Sequence, residues 1–296
     1  MSKIDFIIPE RKADIGNFAV GRLLPFREKR LVGPFIYMDH MGPADMSPDE
    51  NLDVAPHPHI GLSTLTYLLE GSIMHRDSLG TEMEIKPGEV NWMTAGEGIV
   101  HSERTPSYLR SDQKVIHGLQ IWIALPKDLE TTTPDFFHAG KDDIPAWNDA
   151  NVDYTLIAGE AFGKKSSVPV YSKLFLIQLT NKEKAYLELK NKLFGEVGIY
   201  ILNGGLIYQD EHFNSNQMLV FENSELDKIE ILPQSTIFIL GGEPFPEGRK
   251  IYWNFVATEE KLIEEAAEKW RNRKFPPVPN DDGYIPLPES RFRIRK

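Results

Sequence analysis

The chain has 296 residues, a formal net charge of −11 and a mean hydropathy of −0.34, with 41% hydrophobic and 26% charged residues. These values suit a soluble globular chain of one large or two ordinary domains, and the acidic balance disfavours direct contact with nucleic-acid phosphates. Cysteine is absent, which excludes disulfides, iron–sulfur clusters, thiolate zinc sites and a cysteine nucleophile, so any metal must be held by nitrogen and oxygen.

From the N-terminus, "MSKIDFIIPERK" lacks the apolar core of a signal peptide, and no run approaches the ~18 apolar residues of a membrane span. A cytoplasmic protein without a membrane anchor is the simplest expectation. Residues 62–69, "LSTLTYLL", read as a β-branched, apolar strand that "EG" ends. Residues 90–94, "VNWMT", form another strand after the turn "KPGE", and residues 115–125 a longer one that stops at Pro126. His75, Arg76 and Asp77 sit beside a turn and read as an ion pair or hydrogen-bonded corner. Residues 127–151 are polar, contain Pro134 and Pro145, and read as a connector between two halves.

The second half repeats the style of the first. "YLLEGSI" at 67–73 matches "YILNGGLIY" at 200–208, and "IKPGEVNWMTAGE" at 85–97 matches "ILPQSTIFILGGE" at 231–243. A duplication of such long period predicts two similar β-domains of sandwich or barrel type. One helix is predicted near the end, with Thr258 as N-cap and Glu259 and Glu260 at the positive end of its dipole. Leu262, Ala266 and Trp270 form its apolar stripe with Ile263 and Ala267 beside them, and Pro276 and Pro277 stop it. The tail after it should run extended, and the terminal "RFRIRK" reads as a solvated basic patch.

Two triplets carry the chemistry, "HPH" at 57–59 and "HSE" at 101–103. Side chains alternate faces along a strand, so His57 and His59 point one way, and so do His101 and Glu103. If the two strands lie close, three imidazoles and a carboxylate converge on one face. That set suits a divalent transition metal of borderline softness. Open coordination positions point towards iron, with manganese, nickel or copper as alternatives, whereas zinc prefers a nearly closed site of four ligands. After His138 the only histidine is His212, so the second domain offers no comparable set.

"GPFIYMDHMGP", "APHPHIG", "TYLLEG", "HRDS", "NWMTAGEGIVHSERT" and "HGLQIWIALP" together resemble the pirins, a branch of the cupin superfamily. The resemblance is dense from Arg22 to Leu125 and thinner afterwards. It implies an all-β chain of two cupin (jelly-roll) β-barrels packed face to face, with the C-terminal helix and extended tail appended. The expected boundaries are a metal-binding barrel over residues 1–139, a linker over 140–152, and a metal-free barrel with helix and tail over 153–296. It also implies that His57, His59, His101 and Glu103 hold one metal, usually Fe(II), with Mn, Ni, Cu or Zn as alternatives. Asp39 and Gln120 match pirin motifs at the pocket.

The function implied is that of a quercetin 2,3-dioxygenase: ring opening of a flavonol, or another aromatic or enolic substrate, with O2. Glu103 is the candidate proton acceptor. The alternative is a metal-binding regulatory protein acting on a protein partner, either a transcriptional regulator or a metabolic enzyme. A monomer with no direct nucleic-acid contact is expected. Two departures stand out. Many pirins read "HPHRGFE" where this chain has "HPHIGLS", and many carry Arg at the position of Glu97. Both changes remove positive charge, which is expected to weaken the hold on an anionic substrate.

Overall fold

The computed structural model describes residues 2–15 and 18–288. The basic "RFRIRK" at 291–296 lies outside the described residues. The chain forms two compact units, each a pair of antiparallel sheets.

In the first unit the large sheet runs in the order Asp135–Ala139, Val90–Thr94, Leu62–Glu70, Lys114–Ala124, Phe35–Met46, Ala19–Leu24, Arg11–Asp14. The small sheet runs Asp53–His59, Ile99–Arg104, Ile73–Asp77, Glu82–Ile85. "LSTLTYLLE" is buried from Leu62 to Leu68 on both faces, and its two edges pair with Val90–Thr94 and Lys114–Ala124. Only its end, Leu69 and Glu70, emerges towards the turn.

In the second unit the large sheet runs Phe6–Pro9, Gln217–Phe221, Glu196–Asn203, Thr236–Gly242, Leu174–Asn181, Val152–Ala161, Ala146–Asp149, with Lys164–Lys165 beside Val152–Ala161. Its small sheet runs Ala185–Glu188, Lys228–Ile231, Gly205–Tyr208, Glu211–Asn214. Inward-facing Leu156, Phe175, Ile177, Ile199, Leu219 and Phe221 form its core, each fully buried.

The internal repeat is a repeat of topology. In each unit the Gly turn carries the chain from the large sheet to the small one: Leu62–Glu70 to Ile73–Asp77, and Glu196–Asn203 to Gly205–Tyr208. The glycines at these corners, Gly71 (φ +85°) and Gly204 (φ +74°), sit in the left-handed region. A Cβ at Gly71 would lie 2.0 Å from the Val115 carbonyl oxygen, and one at Gly204 2.2 Å from Ser235 Oγ. The second repeated pair makes the return crossing, Glu82–Ile85 to Val90–Thr94 and Lys228–Ile231 to Thr236–Gly242.

Three features differ from the sequence reading. Residues 127–151 are more than a connector, for they contain the strands Asp135–Ala139 and Ala146–Asp149. Ala146–Asp149 pairs with Val152–Ala161 through a tight turn at Ala150 (φ 49°) and Asn151 (φ 65°). The Ala-Asn pair lacks the usual glycine of a two-residue hairpin, so the turn gave no sequence signal.

The second difference is the division of the chain. The contacts place residues from Phe245 onward with the unit that holds the histidine triplets, together with Lys12–Gly21 and Asp39–His138. The residues up to Arg11, and Arg22–Met38, fall with Ala139–Pro244. Packing and pairing explain both transfers. Ile263, Ala266, Ala267 and Trp270 of the helix bury against a cluster that includes Ile60 and Val100. Arg104 of the "HSE" strand donates to Asp281 of the tail through Nε (2.6 Å) and Nη2 (2.8 Å). At the N-terminus, Phe6–Pro9 finds its strand partner in Gln217–Val220.

The third difference is the helix cap. The helix spans Glu260–Arg271 with Glu259 at the N-cap position and no side-chain cap. Thr258 is recruited elsewhere: its N–H (2.8 Å) and hydroxyl (2.9 Å) both donate to the buried Glu130, which also faces the buried Arg249 guanidinium at 3.3 Å.

Candidate metal centre

The small sheet of the first unit brings the two triplets together. His101 lies directly opposite His57 and Ile99 opposite His59 in an antiparallel pair. Alternation then turns all three imidazoles to one face. Their ring centroids are 4.4 Å (His57–His101), 5.0 Å (His57–His59) and 5.0 Å (His59–His101) apart. One nitrogen from each falls within 4.8 Å of the others. The side of the Trp122 ring closes against His59 at 5.0 Å.

These imidazoles are neutral. Burial, aided by the neighbouring His75 and opposed by the hydrogen bond to Ala55, leaves His57 titrating at about 4. Burial, followed by the mutual repulsion of the histidines, drives His59 and His101 well below the ordinary range. His57 spends Nδ1 on the Ala55 carbonyl at 2.9 Å. No hydrogen bond of full geometry reaches either nitrogen of His59, where an Asn254 backbone group makes only a weaker approach, and none reaches His101 Nε2. A buried polar atom left unpaired costs about 1–3 kcal/mol, so a convergence of orphaned lone pairs calls for an occupant. Neutral imidazole nitrogens at this spacing fit a divalent transition ion.

The depressed values carry a pH dependence. Between about 4 and 6.5 the unfolded chain protonates a histidine that the native state keeps neutral at position 57. The stabilisation is therefore complete above pH 6.5 and is lost as pH falls towards 4. The shift at His57 alone corresponds to about 3 kcal/mol. Urea unfolding of chelator-treated protein at pH 7 and pH 4.5 should show this loss, and His57→Asn should flatten it. An unchanged pH slope in the variant would remove His57 from the account.

Glu103 lies on the same face but outside the close group of three nitrogens. It sits across the strand pair from His75. Burial pushes its carboxyl above the ordinary carboxylate range, against the pull of His75 and of a hydrogen bond from Thr66. The Thr66 hydroxyl is 3.3 Å from Glu103 Oε1 and 3.0 Å from the Gln120 side chain. The Gln120 atom nearest Thr66 is Oε1, and one hydroxyl proton serves one acceptor; turning the Gln120 amide to present its NH2 gives a directed chain from Gln120 to Thr66 to Glu103. Gln120 thus lies one hydroxyl away from Glu103. Asp39 is buried on Phe35–Met46, two strands along the sheet from Leu62–Glu70, with Lys114–Ala124 between them.

Glu97 does not join the histidines. It is exposed at the Ala95–Gly98 turn and lines a cavity of about 240 Å³ beside the helix, with Ile60, Leu262, Lys269 and Phe275. The charge it adds therefore falls on that cavity rather than on the histidine face. His40 and His117 pair with each other, Nε2 to Nε2 at 3.0 Å.

His75 and Asp77 form the hydrogen-bonded corner expected from the sequence, and they also lie against the triad, which that reading did not anticipate. Both lie opposite the "HSE" strand, Asp77 across from His101 and His75 across from Glu103. His75 Nδ1 is 3.4 Å from His101 Nδ1, and its Nε2 is 3.1 Å from Asp77 Oδ2. Its ring stacks on Phe136 at 4.6 Å. The available signal was the alternation in "HRD", which points His75 and Asp77 the same way.

Two double-sheet units, one with a converged histidine triad on its small sheet, define a two-domain cupin protein. The chain belongs to the pirin family: the Pirin family model matches residues 17–123 and the Pirin C-terminal cupin domain matches residues 175–276. A pirin-like protein of Caulobacter vibrioides is 45% identical over 291 residues, covering 97% of this chain and all of that protein. A quercetin 2,3-dioxygenase crystal structure from Acinetobacter baumannii superposes with a TM-score of 0.89 at 33% identity, covering 98% of this chain and 97% of the other. A bacterial pirin of Escherichia coli, solved in complex with nickel(II), shares the fold with a TM-score of 0.61 at 18% identity, over 81% of this chain and 99% of that one. Among the described residues no helix is long and apolar enough to cross a membrane.

Proposed function

We propose that this chain is a metal-dependent dioxygenase that opens flavonols such as quercetin with O2. The observation that carries the reading is the buried triad His57, His59 and His101, neutral and with unpaired nitrogens, beside the carboxyl of Glu103. The Acinetobacter baumannii relative named as a quercetin 2,3-dioxygenase supports it.

The three histidines would hold a divalent ion, Fe(II) in this reading, with Mn, Ni, Cu or Zn distinguished by elemental analysis. When bound, the ion supplies Lewis acidity that lowers the pKa of an enolic or phenolic hydroxyl. Glu103 accepts the proton of that hydroxyl. Its elevated pKa makes it a stronger base than a solvated carboxylate. The Thr66–Gln120 chain holds its orientation. Glu103 also offers the fourth ligand from the same face. Trp122 and the buried strand residues around the triad keep bulk water away from the reacting face.

The test is aerobic turnover of quercetin by iron-loaded protein, expressed per bound metal. A rate on the order of 1 per second or more is expected of an evolved enzyme. Turnover slower by several orders of magnitude would sink the catalytic reading and leave regulation of a protein partner in its place.

A further inference from the structure

We infer that His75 and Asp77 are positioning residues that fix the tautomer of His101 and so aim its Nε2 lone pair at the metal. The inference rests on the reading of His101 as a ligand. It starts from the carboxylate. Two backbone N–H groups and the His75 ring all address the Asp77 carboxylate as an acceptor. Oδ1 of Asp77 accepts from the backbone N–H groups of Leu79 (2.9 Å) and Thr81 (3.1 Å), which locks the carboxylate in place. Oδ2 is left for His75 Nε2 at 3.1 Å.

In a neutral His75 the proton is therefore on Nε2, and its Nδ1 is a lone pair. That lone pair faces His101 Nδ1 at 3.4 Å, so His101 carries its proton on Nδ1 and donates it. Nε2 of His101 is then deprotonated, and it is the nitrogen that has no partner in the protein. The three facts agree on one assignment. His57 reaches the same tautomer by a different route, through the Ala55 carbonyl. Outer partners of this kind orient ligand imidazoles and raise their basicity, and their loss typically costs 10–100-fold in metal affinity.

Asp77→Asn inverts the chain without changing its shape. The amide oxygen stays on the Leu79 and Thr81 N–H groups, so the NH2 faces His75 Nε2 and donates. His75 must then carry its proton on Nδ1, and His101 is driven to the Nε2–H tautomer, which cannot ligate. His75→Phe keeps the stacking on Phe136 but removes the relay, leaving His101 free to take either tautomer.

The experiment measures cobalt(II) affinity by chelator competition and visible absorption for wild type, Asp77→Asn, His75→Phe and the double variant. Long-range proton–nitrogen NMR of the metal-free proteins reads the His101 tautomer directly. Asp77→Asn should lose about 10–100-fold in affinity and His75→Phe less. The double variant should match His75→Phe, because an inverted Asn cannot act on His101 through Phe. The NMR should show Nδ1–H at His101 in wild type and Nε2–H in Asp77→Asn. Wild-type affinity in Asp77→Asn, multiplying effects in the double variant, or an unchanged tautomer would each overturn the inference. Failure of the metal-site reading looks different: wild type itself binds no cobalt, while the NMR still reports whether Asp77 sets the tautomer.

Discussion

His59→Leu should abolish metal binding and at the same time make the metal-free protein more stable. His59 is 1% exposed, and beyond a weak approach of the Asn254 backbone neither of its ring nitrogens has a hydrogen bond of full geometry. In the metal-free protein it is thus a buried polar group without compensation, which costs about 1–3 kcal/mol. Leucine is of similar size and carries no polar atom, so little cavity is created and the contact with Trp122 becomes an apolar one. Metal affinity has the opposite dependence. Losing a direct ligand should exceed the 10–100-fold loss that accompanies loss of an outer partner. The measurements are elemental analysis after dialysis and urea unfolding of chelator-treated protein. Retained metal would show that His59 is not a ligand. A metal-free variant less stable than wild type would show that the imidazole is satisfied in the native state. The trade between the two readouts separates a site kept for binding from a packed core.

The histidine triad was legible because a strand has a period of two. "HPH" and "HSE" each place two chemical groups on one face, and only the adjacency of the two strands had to be supplied. The corner glycines and the repeated crossings were legible for a related reason, since a glycine between apolar runs marks a turn that no side chain could make. What stayed hidden depends on register and on long-range choice. His75 is useful to the site because it stands opposite Glu103, and nothing local in "HRDS" fixes that pairing. Thr258 has the right chemistry for an N-cap but donates to Glu130, which lies 128 residues away. The helix has an apolar face in the sequence, but the sequence does not say which surface it covers. Glu97 looked close to the metal because it precedes His101 by a few residues, yet the turn sends its side chain into the helix-side cavity.

Glu103→Gln should keep part of the metal and lose most of the turnover. The amide has the shape of the carboxylate, and its oxygen can still accept the Thr66 hydroxyl that now lies 3.3 Å from Oε1. The three histidines are untouched, so a binding group of three neutral nitrogens remains. What disappears is the negative charge and the basicity, and only the second is needed to take a proton from an enolic hydroxyl. Removal of a positioned general base lowers the rate by about 10²–10⁴-fold. Metal content and quercetin turnover should be measured on the same preparation, with activity expressed per bound metal, so that a lost ligand and a lost base are told apart. A loss of a hundredfold or more per metal assigns the proton to Glu103. Equal activity per metal would restrict Glu103 to holding the ion and pass the proton to another group. Asp39 is the next carboxylate to replace, and because its strand lies two away from that of Thr66 the smaller effect is expected there. The order of the two effects therefore tests the geometry as well as the chemistry: a base must reach the proton, and in this site the polar chain from Gln120 through Thr66 leads to Glu103.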